Sequence, residues 1–251
     1  QVVEAELARA QSQALQADIV PRKSFQSIEL KEAVAYVSEP GKPREEAFKL
    51  GPINLKFEPG ETVFICGGNG SGKTTLLSLI TGLRNPDGGD IHLDGAPMSA
   101  QDRASFRELF TGVFSGFHLF DRTYGLTDDE VELLQERMQE LKLLDRVQVV
   151  ENRFPTLALS AGQKRRLALA VALAEDRPII VLDEFAADQD PANRAYFYDI
   201  LVPELAAGGQ LVIAITHDDH QFGKCDRLIK MEGGRVVSDQ KQSQQTARAV
   251  S

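Results

Sequence analysis

Tryptophan is absent from this sequence of 251 residues, and cysteine occurs only twice, at Cys66 and Cys225. So sparse a set of thiols excludes a disulfide scaffold and makes a reducing compartment, the cytosol, the natural expectation. No apolar run approaches the roughly 18 residues of a membrane span, and no signal peptide opens the chain. Positive charge is in deficit. Lys and Arg number 28 against 37 Asp and Glu, for a net charge of −9 and a pI near 5.1. That balance argues against a nucleic-acid binder, which would present a basic face. Internal repeats and low-complexity tracts are missing as well. With 42% hydrophobic residues, the chain can fill one large domain, or a domain with a lobe. The first residue is Gln rather than Met, so the expectation is a fragment or a processed piece.

Against these absences stands one glycine-rich stretch, GGNGSGKTT at 67–75. It matches G-x-x-x-x-G-K-[ST] with Gly67, Gly72, Lys73 and Thr74 in the fixed places. A short apolar run, 62–66, precedes it as a buried strand would, and Leu76, Leu77, Leu79 and Ile80 follow as the apolar part of a helix. Glycines let successive N–H groups turn toward one point, and the helix N-terminus adds its positive dipole end. Gly67, Gly68, Asn69, Gly70, Ser71, Gly72, Lys73, Thr74 and Thr75 are therefore candidate phosphate-binding residues. Lys73 is aimed at the β- and γ-phosphates of a nucleotide, and the Thr74 hydroxyl is a candidate magnesium ligand.

Elsewhere the chain reads as follows. Residues 1–20 carry a weak helical stripe that ends at Pro21. Extended segments at 28–36 and 53–57 flank a hinge-like loop at 39–46 and suggest an antiparallel lobe. Tyr36 in that lobe is a candidate for stacking on an adenine ring; the alternative is an ordinary strand-face aromatic. Asp87-Gly88-Gly89 reads as a turn ahead of a strand at 90–94. Residues 110–120 (FTGVFSGFHLF) look too irregular for one element and could be core or a docking face. Thr127 and Glu130 form a capping box for a helix expected over 127–145, with Val131, Leu134, Met138, Leu141 and Leu144 on one face. LSAGQ at 159–163 opens another helix, with Ser160 and Gly162 at its start. The aliphatic run 179–182 ends in Asp183 and Glu184, as a buried strand delivers carboxylates to the active edge of an α/β sheet. Asp190-Pro191 is an N-cap with Pro at the first helical position, and that helix is expected to end near Leu201. A further buried strand, 211–216, delivers His217. A hairpin turns at Gly233-Gly234, and 238–251 read as a disordered tail.

Taken together, GGNGSGKT, LSAGQ, IIVLDE, AADQD and ITH stand in the order found in the nucleotide-binding domains of ABC transporters, which the chain resembles over roughly 25–237. The segments LSAGQKRRLALAVALAEDRPIIVLDEFAADQDP and AITHDDHQF look most like exporters of cyclic peptides and siderophores, such as the pyoverdine exporter group. The resemblance implies an α/β fold, a P-loop NTPase (RecA-like) core with an antiparallel β lobe and a helical subdomain at about 116–165. It makes 1–24 a helical linker from a transmembrane domain that precedes the ATPase on the same chain. It implies ATP and Mg2+ as cofactors and a place on the cytoplasmic face of the inner membrane. The partners it implies are that transmembrane domain and a second copy of the chain, and no nucleic acid. Asp183 would bind magnesium, Glu184 would be the general base, and His217 would contact the γ-phosphate and hold the water and base in register. Ser160 and Gly162 would contact a nucleotide held by the second copy, and Asp190 would belong to the loop crossing between copies. One departure stands out: where the family carries Gln, this chain has Ser115, followed by Gly116, so Ser115 is the candidate metal contact there.

The favoured reading is thus an ATP-hydrolysing motor domain for export of a cyclic peptide or siderophore precursor. The alternative is a soluble ABC-type ATPase not tied to transport, which would need a coiled-coil insertion or a second ATPase domain that the chain lacks. A nucleotide-binding regulatory module without turnover is the third reading; Glu184 and His217 together argue against it.

Overall fold

A six-stranded sheet forms the central layer. The computed structural model describes residues 22–38, 46–99 and 101–242. The helix expected at 1–20, most of the loop at 39–46 and the end of the tail lie outside the described residues. The sheet consists of β3 (Thr62–Gly67), β6 (Phe110–Val113), β7 (Ile179–Asp183), β8 (Leu211–Ile215), β9 (Arg227–Glu232) and β10 (Arg235–Lys241). Strands β6, β7, β8, β3 and β9 pair in parallel, and β10 closes the edge antiparallel. Near-continuous aliphatic sequence in β3, β7 and β8 fits strands covered on both faces. Val63, Ile65, Val181 and Ile213 face one core, while Phe64, Ile180, Leu182 and Val212 face the other.

The first core lies under an antiparallel sheet, β2-β1-β4-β5, made of β1 (Ile28–Val37), β2 (Phe48–Phe57), β4 (Gly88–Leu93) and β5 (Ala96–Pro97). This is the expected antiparallel lobe. Helix α1 (Lys73–Ile80) leaves β3 and buries Leu76, Leu77, Leu79 and Ile80 in the same core. Gly88 and Gly89 correct the expected turn: both sit inside β4. A register shift in β1 between Lys31 and Val34 brings the Glu32 carbonyl to 2.2 Å from where a Cβ on Gly89 would lie. The glycines serve a bulge and not a reversal of the chain.

The second core is covered by α3 (Asp128–Glu140) and α4 (Ala161–Ala174), which pack on each other. A short helix, α2 (Arg103–Arg107), precedes β6 and buries Phe106. Helix α3 starts with the expected Thr127–Glu130 capping box and buries Leu134 and Met138. It ends earlier than expected, with Leu141 as C-cap and Lys142 left-handed at φ 54°. Leu144 therefore falls off the stripe and is exposed. Asp190 caps α5 (Pro191–Tyr196) through Asn193, but the helical path does not stop at Leu201. It passes through a π turn at Phe197–Leu201 into α6 (Val202–Ala207). The π turn ends the regular ladder just where Pro203, in the first turn of α6, has no N–H to give. The hairpin is longer than expected too, because Ser238–Lys241 belong to β10 and not to a tail. No helix among the described residues is long and apolar enough to cross a membrane.

Candidate nucleotide site

Strand register brings the sequence-distant candidates to one edge. Ile65 pairs with Ile215, and Ile215 pairs with Asp183. The ladder continues for one more step, with Thr216 N donating to Ile65 O at 3.1 Å and Glu184 N to Ile215 O at 3.1 Å. The residues that leave these strands at their C-terminal ends, Gly67, His217 and Glu184, therefore emerge side by side. This is the edge where open α/β sheets hold their ligands.

Gly67–Thr75 runs from β3 into α1. Two glycines have no alternative. At Gly72 (φ +100°) an added Cβ would sit 2.9 Å from Leu50 Cδ1 and 3.1 Å from a Phe48 ring carbon; at Gly67 (φ +149°) it would sit 2.3 Å from Met231 O. Helix α1 begins at Gly72 with no side-chain cap, so its first N–H groups are left for another acceptor. Lys73 is only 7% exposed, and its Nζ donates to the loop carbonyls of Gly67 (2.9 Å) and Gly68 (3.1 Å). Ser71 Oγ is buried with no hydrogen-bond partner among the described residues, an arrangement that costs free energy until a polar group meets it. Gly68, Asn69, Gly70 and Thr74 are exposed and Thr75 is half-buried. Cys66, immediately before the loop, is buried, and burial pushes its thiol pKa up against the pull of Lys230 and Lys73.

Asp183 ends β7 almost fully buried. Its Oδ2 accepts from Ser115 N at 3.2 Å and from Ser115 Oγ at 2.5 Å. The structure thus joins Ser115 to Asp183, and the irregular 110–120 stretch divides into β6 and a turn that carries Ser115. Glu184 follows in a left-handed backbone conformation, φ 55° and ψ 32°. Its Oε1 lies 3.0 Å from His217 Nε2, and both side chains are partly exposed, at 39% and 44%. Tyr198, under this edge, shares a hydrogen bond of 2.7 Å with Thr216.

Ser160 and Gly162 stand apart from the phosphate loop, at the N-terminus of α4. Ser160 forms a capping box with Gln163: Gln163 N donates to Ser160 Oγ at 3.3 Å, and Ser160 N to Gln163 Oε1 at 2.9 Å. Gly162 packs so closely on the loop after Glu184 that a Cβ there would meet Asp188 O at 2.6 Å. Asp190 accepts from Asn193 N at 2.9 Å and Asn193 Nδ2 at 2.6 Å, and the Asn193 hydrogen bonds hold its carboxyl below the usual range. Tyr36 lies on β1 opposite Lys49. Its N–H donates to Asp87 Oδ2 at 2.8 Å, its carbonyl accepts from Arg84 at 3.0 Å, and Lys49 Nζ lies 6.0 Å over its ring. Phe48, the residue before Lys49 on β2, places a ring carbon 3.1 Å from where a Cβ on Gly72 would lie.

Sequence reasoning missed a set of basic residues. Lys164, Arg165 and Arg166 crowd the first turns of α4, where the helix dipole disfavours cations. Such a conflict signals anionic or carbonyl partners elsewhere. They are present: Arg165 Nε pairs with Asp188 Oδ2 at 2.8 Å and its Nη1 donates to Glu184 O, while Arg166 reaches Gln189 Oε1 at 3.3 Å.

A P-loop between β3 and α1, a buried carboxylate ending a neighbouring strand and a signature-type helix N-terminus define an ATP-binding domain, and comparison with known proteins gives the same class. The family model described as "ABC transporter" matches residues 50–187, and the chain belongs to that family, as its ATP-binding, ATP-hydrolysing domain. ATP-binding protein SyrD of Pseudomonas syringae pv. syringae is 43% identical over 232 residues, covering 91% of this chain and 41% of that protein. An ATP-dependent lipid A-core flippase of Alkalilimnicola ehrlichii is 32% identical over 208 residues, covering 78% of this chain and 35% of its own length. The chain therefore spans less than half the length of these relatives. Among solved structures, a dimeric ATP-binding cassette in a post-hydrolysis state bound to ADP and Pi superposes with a TM-score of 0.68 at 26% identity, covering 86% of this chain and 99% of that one.

Proposed function

We propose that the chain is the motor domain of an exporter, hydrolysing ATP at the cytoplasmic face of the inner membrane to move a cyclic peptide or siderophore precursor outward. The observation that carries the hydrolytic part is the Glu184–His217 pair, 3.0 Å apart, at the sheet edge beside the phosphate loop. Glu184 acts as general base: water attacks the γ-phosphorus, its proton passes to the Glu184 carboxylate, and the bond to the bridging oxygen breaks to release ADP. His217 orients that carboxylate and the water. Lys73 exchanges its two loop carbonyls for phosphate oxygens, and the N–H groups of 67–75 hold the remaining charge. Thr74, the Asp183 carboxylate and Ser115 are hard oxygen donors suited to Mg2+, which takes few protein ligands alongside phosphate; bound there, it neutralises charge developing on the phosphates. Tyr36 stacks on the adenine.

Among the described residues no hydrogen bond links Ser160 or Gly162 to this chain's own loop: Ser160 is tied to Gln163, and Gly162 packs on Asp188 and accepts from Gln189. A second copy related by a twofold axis completes the site, each α4 N-terminus facing the other copy's phosphate loop and Asp190 lying in the crossing segment. The dimeric cassette of similar fold supports this arrangement. Residues 1–24 link to a transmembrane domain, and the 110–120 turn, with Phe120 exposed, faces it. The cargo class rests on the resemblance of LSAGQ through AADQDP and of AITHDDHQF, and the ATP-dependent lipid A-core flippase among the relatives supports a transport role. Mass spectrometry of culture medium from cells carrying the intact gene or its Glu184→Gln form tests the cargo. The reading predicts a peptidic metabolite that leaves the medium and accumulates inside the variant cells; identical secreted profiles would overturn it.

A further inference from the structure

We propose that Arg165 is a positioning residue for Glu184, gripping the backbone of the base from the helix that faces the second copy. The inference rests on the reading of Glu184 as general base.

Glu184 is a non-glycine residue in the left-handed region, a conformation that is unfavourable for an L-residue. Such a conformation persists only where the surroundings impose it. Its N–H is fixed by Ile215 O at 3.1 Å and its carbonyl accepts from Ala187 N at 3.2 Å. Those bonds leave the peptide after Glu184 at the start of a single 3-10 turn, Phe185–Asp188. Arg165 supplies the missing constraint. Its guanidinium, 15% exposed, donates through Nη1 to Glu184 O and through Nε to Asp188 Oδ2 at 2.8 Å. One planar group thereby clamps both ends of the turn. The fork geometry is specific to arginine, because an ammonium has no two donors at that fixed spacing.

The clamp also has a direction. Arg165 is on α4, whose first turn carries Ser160 and Gly162. Gly162 packs on Asp188 O and its carbonyl accepts from Gln189 Nε2 at 3.3 Å. A shift of the α4 N-terminus when the second copy's nucleotide engages it would therefore be felt at the Glu184 carbonyl, and through φ and ψ at the carboxylate facing His217. Since a misplacement of about 1 Å in a reacting group can cost on the order of 100-fold in rate, the clamp bears on turnover rather than on nucleotide affinity. Among the described residues, no hydrogen bond or ion pair joins the phosphate loop to these groups.

The test compares the 251-residue chain with Arg165→Met, Arg165→Lys, Asp188→Asn and Glu184→Gln. Steady-state ATP hydrolysis, equilibrium binding of a fluorescent ATP analogue and thermal unfolding are measured on each. Arg165→Met should lose at least ~10-fold in kcat with KM and binding within about twofold. Arg165→Lys should recover part of the loss, and Asp188→Asn, which leaves the donor on Glu184 O, should lose less than Arg165→Met. If the chain hydrolyses ATP, Glu184→Gln abolishes it and Arg165→Met behaves as the unmodified chain, the inference is wrong while the functional reading stands. A parallel fall in kcat, affinity and melting temperature would also overturn it, as a purely structural role. Unimpaired turnover by Glu184→Gln would overturn the reading of the base, and the inference with it.

Discussion

Gly234→Ala should damage the phosphate loop from outside it. Gly234 lies at the β9–β10 turn with φ +77°, and a Cβ added there would sit 2.1 Å from Lys49 O. Ordinary contact begins at 3.4 Å, so the turn and β2 must part by about 1.3 Å, the difference between those two distances. Two hydrogen bonds run through this residue: its N–H donates to Ser71 O at 3.0 Å, and its carbonyl accepts from Gly51 N at 2.7 Å. Left-handed strain of roughly 1–2 kcal/mol and loss of two hydrogen bonds at about 1 kcal/mol each predict a destabilisation of ~3–4 kcal/mol. Gly233→Ala is the control, with φ +51° and nothing within 4 Å of the added Cβ; it should cost only the strain, ~1–2 kcal/mol. Urea unfolding measures the stability difference. Titration with a fluorescent ATP analogue measures whether the shift of Ser71 is felt at the phosphate site, and affinity should fall for Gly234→Ala alone. Equal destabilisation of the two variants, with unchanged nucleotide binding in both, would refute the reasoning.

Three further outcomes follow. Lys73→Ala should weaken ATP binding by at least ~10-fold, about 1.4 kcal/mol, or reduce turnover to background, as read by equilibrium binding and phosphate release; unchanged values would remove the phosphate-loop assignment. Burial raises the Cys225 thiol pKa to about 11, so at pH 8 only about one molecule in a thousand carries the reactive thiolate; burial raises Cys66 as well. A thiol titration should therefore find both cysteines unreactive in the native chain and both reactive in denaturant, and rapid native reaction at either would contradict the packing. Phe64→Ala should cost about 3–5 kcal/mol in chemical unfolding, because the ring is fully buried and meets Tyr198 edge-on at 5.7 Å; a loss under 1 kcal/mol would contradict the second core.

The sheet, and the edge that gathers Gly67, Glu184 and His217, were legible because their signals are local. Aliphatic runs ending in Asp183-Glu184 and in Thr216-His217, and glycines ahead of Lys73, dictate strand, loop and helix with no need of tertiary information. The Thr127, Ser160 and Asp190 caps were readable for the same reason. The failures share a cause in long-range packing. Gly88 and Gly89 look like a turn until β1 bulges against them. Leu144 continues a helical stripe that Lys142 has already broken. Residues 197–201 keep helical periodicity through a π turn, and Ser238–Lys241, polar enough for a tail, are held as a strand by β9. Arg165 and Arg166 show no role in the sequence beyond their unfavourable place at a helix start; their partners lie across the loop that follows Glu184.

The most direct measurement combines size-exclusion chromatography with light scattering and the fate of bound ATP, for the unmodified chain and for Glu184→Gln at high protein concentration with ATP. The account predicts that the unmodified chain converts ATP to ADP and elutes mainly as a monomer. Glu184→Gln should retain uncleaved ATP and accumulate as a dimer, one that Ser160→Arg abolishes without weakening binding to the monomer. Hydrolysis by Glu184→Gln at the unmodified rate, or tight ATP retention by a strictly monomeric variant, would contradict the proposed base or the shared site, respectively.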